Sequence, residues 1–213
     1  MGTGSATVAE DKGVLRPKAL KALGAARAVF LDCGYDAASM DAIARAAGIS
    51  KATLYAHFAS KEDLFEALIR HECRDLKAKL TPLDASRPAG EELLRMAREL
   101  RRLFAQDEGL TIYRIIVPVA HRFPRLARIF YEEGPETAIG QMADFFRAVS
   151  STGRLAIPDP DVAAHQFLAL VSDDLKLSCS LALPYRWAWD DEAVMRSSVS
   201  MFLSFYAVDG TPV

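Results

Sequence analysis

The sequence predicts an all-α protein of about nine helices, and three observations lead to that prediction. Apolar residues recur at spacings of three and four along nearly the whole chain, which is the pattern of helices with one buried face. No stretch of useful length alternates between apolar and polar residues, as a half-buried strand would. Glycine, proline and serine stand where the apolar pattern starts or stops, and these residues commonly cap or end helices.

The first predicted helix has four apolar residues on one face: Ala19, Leu23, Ala26 and Phe30. Gly34 follows as its expected C-terminal cap. Ser39 is the predicted N-cap of a short helix over residues 40–47, and Ser50 is the predicted N-cap of another over residues 51–58. We expect these two short helices to be joined by a tight turn.

Ser60 and Asp63 predict the start of a longer helix, because they form a variant of the capping box. Pro118 is expected to bend or end a later helix, and Gly134 with Pro135 is expected to interrupt another. These and the remaining helices are expected over residues 60–80, 91–105, 110–121, from 124 onward, 138–149, 162–181 and 190–206. Turns are expected at residues 82–88, 106–109, 150–158 and 184–189.

The composition fits a packed globular protein, and the charge is unevenly distributed along the chain. Of the 213 residues, 51% are hydrophobic, and the formal net charge is −2. Residues 12–61 hold eight lysines and arginines against three aspartates, a balance of +5, so the rest of the chain sums to −7. A basic block on an acidic body indicates a polyanionic partner for that block. On charge alone, a chance distribution of surface residues stays open as the alternative.

Several kinds of site and location are not expected from the sequence. Cys33, Cys73 and Cys179 are far apart and the four histidines are scattered, so neither a zinc site nor another cofactor is predicted. No run of apolar, uncharged residues is long enough to predict a membrane span. Residues 1–12 lack the apolar core of a signal peptide. We therefore expect a cytoplasmic protein with reduced thiols and no membrane partner.

Residues 39–58 have the features of a helix-turn-helix. Ala44 and Ala47 are small enough for two helices to approach closely, and Gly48 can adopt the left-handed backbone of a sharp turn. The core between the two helices is predicted to contain Ile43, Ile49 and Leu54. The exposed side then carries four hydrogen-bond donors: Lys51, Thr53, Tyr55 and His57. An ordinary helical hairpin has similar spacing, so the spacing alone leaves that alternative open.

Residues 25–65, AARAVFLDCGYDAASMDAIARAAGISKATLYAHFASKEDLF, closely resemble the DNA-binding domain of the tetracycline-repressor (TetR) family, and the resemblance covers roughly residues 15–69. The residues that stand at the family's positions are Phe30, Gly34, Ile43, Ala44, Ala47, Gly48, Ser50, Leu54, Tyr55, Phe58, Lys61 and Leu64. The part from His121 through Asp161 to Leu175 is similar to the AefR-like group of TetR ligand domains.

This resemblance implies a domain organisation and a mode of action. We expect a flexible tail over residues 1–14, a three-helix helix-turn-helix DNA-binding domain over residues 15–64, and a helical ligand-binding and dimerisation domain over residues 65–213. The implied function is a ligand-responsive transcriptional regulator, in the simplest case a repressor, that binds palindromic double-stranded DNA as a homodimer. A small apolar or aromatic effector is expected to release it from the operator.

The residues expected to contact DNA are carried over from the family position by position. They are Ser39, Met40, Arg45, Ser50, Lys51, Ala52, Thr53, Tyr55, His57 and Lys61. Lys51 and Thr53 are expected at base edges in the major groove, and Tyr55 and His57 at phosphate or sugar. Lys61 starts the next helix, where a cation and free amides suit a phosphate. The alternatives are a solvated surface charge for Arg45, partial core packing for Tyr55, and a packed or solvent-facing side chain for His57.

The resemblance also implies an effector cavity among the middle helices of the C-terminal domain. Its expected lining is aromatic and apolar: Phe104, Tyr113, Ile116, Phe123, Phe130, Tyr131, Phe145, Phe146 and Phe167. The polar groups expected to orient a ligand are His121, Arg122, Gln141 and Asp173. Ordinary core packing is the alternative for every aromatic residue in the set.

The homodimer is expected to form through two long apolar helices near the C-terminus, which would make a four-helix bundle with the partner. The expected interface residues are Phe167, Leu168, Val171, Leu175, Met195, Val199, Phe202 and Tyr206. Burial in the core of the single chain is the alternative. Asp173 and Asp174 are expected either to pair with Arg147 or to lie in this interface.

Two other kinds of function are compatible with an all-α chain. An enzyme is disfavoured because the sequence shows no nucleophile motif, no carboxylate pair at catalytic spacing, no glycine-rich phosphate loop and no metal-ligand cluster. A ligand-binding adaptor that has lost DNA binding is disfavoured by the intact set Lys51, Thr53, Tyr55 and Lys61.

Overall fold

The computed structural model describes residues 16–105, 108–180 and 191–208, and the statements below refer to those residues. They form ten α-helical segments: α1 Pro17–Ala37, α2 Met40–Ala46, α3 Lys51–His57, α4 Lys61–Ala78, α5 Ala89–Ala105, α6 Glu108–Ile116, α7 Pro124–Tyr131, α8 Thr137–Ser151, α9 Pro160–Ser180 and α10 Asp191–Tyr206. A π-helical turn joins α7 to α8 without a break, so the segments make nine separate helices. Over the described ranges the only β pairing is one isolated bridge between Leu155 and Ala207. The predicted all-α fold is confirmed.

The chain divides into two compact units, one ending at Phe65 and the other beginning at Glu66. The first unit contains α1, α2, α3 and the start of α4. The apolar residues predicted for one face of α1 are each at most 3% exposed: Ala19, Leu23, Ala26 and Phe30. Ile43 from α2, Leu54 from α3 and Phe65 from α4 are fully buried as well. These side chains form one small core that fixes α2 and α3 on α1.

Gly34 breaks α1 close to its end. The backbone there has φ +76° and ψ 167°, inside a segment that is otherwise helical. A residue with a Cβ atom is strained in that conformation, whereas glycine adopts it readily. The regular helix therefore ends at the predicted residue, and residues 35–37 make one further turn before α2 begins.

The second unit has a large apolar core to which α5, α8, α9 and α10 contribute. Its aromatic members are Phe145, Phe146, Phe167, Phe202 and Tyr206. The rings of Phe146 and Phe202 stack with their centroids 5.1 Å apart, and Phe167 packs edge-on against Phe202 at 5.3 Å. Aromatic side chains bury more area than any others, so this cluster stabilises the packing of the four helices.

Two predictions about turns and helix breaks differ from the structure. Residues 108 and 109 belong to α6 rather than to a turn, while residues 106–107 and the predicted turn at 184–189 lie outside the described residues. Pro118 acts as predicted, because α6 ends at Ile116 and a 3₁₀ turn follows over Val117–Val119.

The second difference is at Gly134 and Pro135, which lie in the π-helical turn Glu132–Glu136. Proline has no backbone N–H and cannot donate the regular helical hydrogen bond at its position. The wider π turn lets the chain continue from α7 into α8. The hydroxyl of Thr137 donates to the carbonyl of Glu132 at 2.9 Å and satisfies one acceptor there. The prediction of a helix break is therefore wrong.

Arg147 lies on the surface and pairs with Asp144 at 2.7 Å and Asp161 at 2.5 Å. The expected partners Asp173 and Asp174 lie outside the described side chains.

Among the helices of the described part of the chain, none is long and apolar enough to cross a membrane.

Candidate nucleic-acid interface and ligand cavity

The turn between α2 and α3 is closed by Gly48, whose φ is +63°. The N–H of Gly48 donates to the carbonyl of Arg45 at 3.1 Å, and the N–H of Ile49 donates to the carbonyl of Ala44 at 3.1 Å. These two bonds are the pattern of a Schellman motif, which most often ends a helix at glycine. The predicted left-handed turn is confirmed, and it fixes the direction in which α3 leaves α2.

A serine caps the start of each helix in this motif. The hydroxyl of Ser39 accepts from the N–H of Ala42 at 3.1 Å, and the hydroxyl of Ser50 accepts from the N–H of Thr53 at 3.0 Å. Each cap satisfies one amide that has no partner within its own short helix. Ser50 also forms a hydrogen bond of 2.8 Å with the hydroxyl of Thr53, so Thr53 is held in one position at the start of α3.

One side of α3 anchors the helix and the other faces outward. Leu54 is fully buried, and Phe58, which follows the helix, is 6% exposed. The outward residues Lys51, Ala52, Tyr55 and Ala56 are exposed, while Thr53 and His57 are half-buried. A short helix that stands on one apolar side chain and presents hydrogen-bond donors has the form needed to enter a DNA major groove.

The other predicted DNA contacts are divided between the surface and the interior. Arg45, Ser39 and Ser50 are exposed. Met40 is only 7% exposed and its side chain contributes to the core of the first unit, so the predicted DNA contact at Met40 could involve only its backbone. Lys61 is half-buried and donates to backbone carbonyls of its own chain, and its contact with phosphate stays a prediction.

The second unit encloses a cavity of roughly 240 Å³. Its lining comes from α4 to α9 and the π turn: Cys73, Leu76, Lys77, Leu80, Leu100, Leu103, Ile112, Tyr113, Phe130, Glu133, Gly134, Pro135, Thr137, Ala138, Ile139, Gln141, His165, Leu168, Ala169 and Ser172. The rings of Tyr113 and Phe130 meet edge to face, with centroids 4.9 Å apart. A mostly apolar wall with a few polar groups is typical of a small-molecule site.

Helices α9 and α10 carry large apolar side chains on their outer surfaces. The exposed fractions are 48% for Val162, 40% for Leu170, 61% for Leu177, 56% for Met201 and 77% for Phe205. Within each helix these residues are seven, eight or four positions apart, so they share one face. We call these five residues the outer apolar face. Exposed apolar residues grouped on helix faces in this way are typical of interaction sites.

Two family profiles match the chain. Residues 22–68 match the one described as bacterial regulatory proteins, tetR family, and residues 91–208 match the one described as AefR-like transcriptional repressor, C-terminal domain. The chain belongs to the TetR family. The resemblance stated from the sequence is thereby confirmed, and with it the assignment to DNA-binding transcriptional regulators.

Individual relatives agree with this assignment. The solved structure of the flavonoid-responsive regulator FrrA is 39% identical, covers 91% of this chain and 98% of its own, and has a TM-score of 0.79. A TetR-family transcriptional regulator from Mesorhizobium loti is 30% identical, with coverage of 90% and 97% and a TM-score of 0.80. The HTH-type transcriptional activator FasR of Mycolicibacterium smegmatis is 50% identical over 52 residues, or 24% of each chain. The chain thus spans only about a quarter of the length of that curated relative.

In this TetR-family regulator, Lys51 on α3 is paired with Asp41 on α2. The ammonium nitrogen lies 2.8 Å from a carboxylate oxygen, and both side chains are 60% exposed. The hydrogen bond to Asp41, followed by its charge, raises the pKa of Lys51 above its usual value. Lys51 therefore carries a full positive charge, and Asp41 would compete with any other anion for its ammonium group.

Asp41→Asn is expected to raise the affinity of the regulator for duplex DNA by about two- to fivefold, because an exposed ion pair is worth under about 1 kcal/mol. The substitution frees Lys51 and removes a charge that repels phosphate. Fluorescence anisotropy with a random-sequence duplex at low salt measures the change. Asp32→Asn, at an exposed position on α1, is the charge-matched control. Equal gains for the two variants would show that only net charge matters.

Of the nine residues predicted to line the cavity, Tyr113 and Phe130 do so. Four others are at most 4% exposed and lie in the apolar interior instead: Ile116, Phe145, Phe146 and Phe167. Tyr131 is 48% exposed and Phe123 is half-buried, and neither is part of the lining. Phe104 lies outside the described side chains. Large side chains at helical spacing often fill the contacts between helices. The predictions are therefore wrong for the six residues other than Phe104 that do not line the cavity.

Among the polar groups predicted to orient a ligand, Gln141 lines the cavity. His121 and Arg122 are exposed and not part of the lining, so these two predictions are wrong. Asp173 lies outside the described side chains. His165, Lys77 and Glu133 supply charge or hydrogen bonding at the cavity instead.

Cys73 and Gly134 meet at the cavity wall, and neither was predicted from the sequence as a lining residue. A Cβ atom on Gly134 would lie 3.4 Å from the sulfur of Cys73, so the glycine allows the π turn to approach α4 closely. Burial, with a smaller contribution from the carboxylates of Glu133 and Glu72, raises the pKa of Cys73 to about 11. The thiol is therefore protonated at neutral pH and acts as an apolar part of the wall.

A chain of ion pairs links α4 to the elements beside the cavity. Arg70 on α4 pairs with Glu133 of the π turn and with Glu66 at 3.2 Å. Arg125 on α7 pairs with the other oxygen of Glu66 at 2.6 Å. Because Glu133 lines the cavity, a ligand there would lie next to a carboxylate that forms an ion pair with Arg70 on α4.

Most residues predicted for the dimer interface lie inside the single chain. Six of them are at most 6% exposed within the single chain and belong to its core: Phe167, Val171, Met195, Val199, Phe202 and Tyr206. Leu168 lines the cavity, and Leu175 lies outside the described side chains. Since a fully buried side chain cannot contact a partner, the alternative of core packing is the correct one for these six residues. The outer apolar face lies on the other side of the same two helices.

Proposed function

We propose that this TetR-family regulator is a repressor that binds a palindromic operator as a homodimer and leaves it when a small aromatic effector fills the cavity. The observation that carries the proposal is the outward surface of α3. Lys51 and Tyr55 are exposed on a helix that Leu54 and two serine caps hold in place. One such helix reads too few base pairs for a specific site, and a two-fold pair of helices doubles the contact.

The homodimer is proposed to form through the outer apolar face. A four-helix bundle made from α9 and α10 of two chains would bury these side chains and remove apolar area from water. A two-fold interface brings the same residues together from both chains. It would place the two α3 helices at half-sites about 34–36 Å apart, or a multiple of that distance.

The effector is proposed to be a planar aromatic molecule with a few hydroxyl groups. A cavity of roughly 240 Å³ with the ring pair of Tyr113 and Phe130 suits a compact aromatic ligand. Gln141 and His165 offer hydrogen-bonding partners. The relative FrrA, 39% identical, is described as flavonoid-responsive, and flavonoids have this chemistry.

Release is proposed to follow from a population shift between two arrangements of the helices. A ligand can shift that balance only by binding one arrangement more tightly than the other. The ion pair between Arg70 and Glu133 connects the cavity lining to α4, so a ligand that displaces Glu133 changes the contacts of α4. Enzymatic activity is not part of the proposal, since the relatives are transcriptional regulators.

The test measures operator affinity with and without a panel of flavonoids, using a duplex selected by the protein itself. At saturating ligand we expect affinity to fall by about tenfold or more, in the usual range of allosteric coupling. Ala138→Trp fills the cavity and is expected to retain operator binding but lose the response. Ala148→Trp, at an exposed position on the same helix, should respond normally. A flavonoid that binds tightly and leaves operator affinity unchanged would contradict the proposed release.

A further inference from the structure

Lys61, the first residue of α4, has its ammonium group enclosed by backbone oxygens from the end of α1. The nitrogen donates to the carbonyls of Tyr35 at 2.6 Å, Ala38 at 2.8 Å and Asp36 at 3.3 Å. An ammonium group has three hydrogens, so these three acceptors match its full donor capacity. We call the three carbonyls the lysine socket.

The lysine socket exists because α1 ends without regular capping. The last carbonyls of a helix have no partner within the helix, and they carry the negative end of its dipole. Gly34 breaks the helical path just before the socket, and beyond it the N–H of Ala38 donates to the carbonyl of Gly34 at 3.3 Å. A cation at this place therefore pairs with carbonyl oxygens at the negative end of the helix.

The aromatic ring of Tyr35 also contacts the lysine. The ammonium nitrogen lies 4.4 Å from the centroid of the Tyr35 ring, within cation–π distance. The Tyr35 ring in turn packs against Phe65 at 4.9 Å and Phe30 at 5.5 Å. Tyr35 is 7% exposed and the two phenylalanines at most 2%. Lys61 is thus joined to the core of the first unit through Tyr35.

We infer that Lys61 is a positioning residue for the DNA-reading motif and does not itself bind phosphate. The socket includes the carbonyl of Ala38, the residue directly before the Ser39 cap of α2. By fixing that peptide, Lys61 sets where α2 begins. Because α2 carries α3 through the Gly48 turn, a shift at the start of α2 moves the outward surface of α3. The inference rests on DNA binding by the first unit, and not on the identity of the effector.

The full-length protein with Lys61→Met separates the two roles, using a random-sequence duplex over a range of salt concentrations. A residue that neutralises one phosphate contributes about 0.9 to the slope of log affinity against log salt. For a positioning residue we expect about tenfold weaker binding, from the loss of charge-assisted hydrogen bonds, with the slope unchanged. Lys51→Met, which removes an exposed cation of α3, is expected to lower the slope.

Nuclear magnetic resonance of the unmodified protein tests the inference even if the Lys61→Met variant does not fold. In the unmodified protein, the side-chain ammonium signal of Lys61 is expected to be slowed in exchange and unchanged when the duplex is added, while that of Lys51 shifts. In Lys61→Met, the amide signals of residues 39–42 are expected to move before any DNA is present. A Lys61 ammonium signal that shifts with DNA, or a slope reduced by about 0.9 for each subunit with unmoved amides, would overturn the inference.

Discussion

Replacing Lys51 and Tyr55 together by alanine is expected to lower operator affinity by about a hundredfold or more while leaving the fold and the dimer intact. The Lys51 side chain is 60% exposed and Tyr55 is 43% exposed, so their truncation opens no cavity in the core. Each good contact to a base or phosphate is worth about 1–3 kcal/mol, and a dimer loses each contact twice. Titration of a selected operator by gel shift or anisotropy measures the loss.

The matched control for this pair lies in the second unit. Arg128 and Tyr131 are a cation and a tyrosine on the exposed surface of α7, and their replacement by alanine should leave operator affinity within about twofold, as for most surface substitutions. Thermal unfolding should agree among the double variants and the unmodified chain. If the Lys51 and Tyr55 variant still bound the operator as tightly as its control, α3 would not be the reading helix.

A second large effect is expected when charge is placed in the outer apolar face. Met201→Arg combined with Phe205→Glu should give a monomer of 23.3 kDa in place of a dimer, because charged groups would have to be buried at the interface. These residues are 56% and 77% exposed in the single chain, so the fold of each subunit should survive. Sedimentation velocity gives the mass, and the same sample should lose specific operator binding.

Ala148→Glu provides the control for the dimer prediction, since Ala148 is exposed on α8 and belongs to neither helix of the outer apolar face. That variant should stay dimeric. A charged Met201 and Phe205 variant that remained dimeric would place the interface elsewhere on the molecule. A monomeric variant that kept full operator affinity would contradict the need for two reading helices.

The sequence predicts the helix-turn-helix well because its determinants are local. Ser39, Ser50 and Gly48 each act through hydrogen bonds or backbone angles within a few residues. Those interactions depend little on the rest of the chain. The cap residues, the turn and the anchoring Leu54 could therefore be predicted correctly from the sequence alone.

The cavity could not be predicted in the same way, because empty space has no sequence pattern of its own. Phe146 and Phe167 have the helical spacing expected of a lining, yet they fill the core. Cys73 and Gly134 form part of the wall because a glycine in a π turn meets a cysteine 61 positions earlier. Such contacts depend on the packing of several helices at once.

The interface raises a related difficulty, since α10 is apolar on more than one side. Phe202 and Phe205 are three residues apart and equally apolar, but Phe202 is 3% exposed and Phe205 is 77% exposed. Periodicity identifies apolar faces without saying which of them meets the chain's own core. Lys61 shows the same limit for charge. Its position at the start of a helix suits a phosphate contact, and the sequence does not reveal that its ammonium group donates to carbonyls at the end of α1.

The central claim is that a homodimer reads DNA with two copies of α3. Selection of bound sequences from a random duplex pool tests this claim most directly. With the full-length protein, the account predicts enrichment of two inverted copies of one half-site, with centres about one helical turn, or a whole number of turns, apart. A single unpaired motif, or a pool that remains random after repeated rounds, would contradict it.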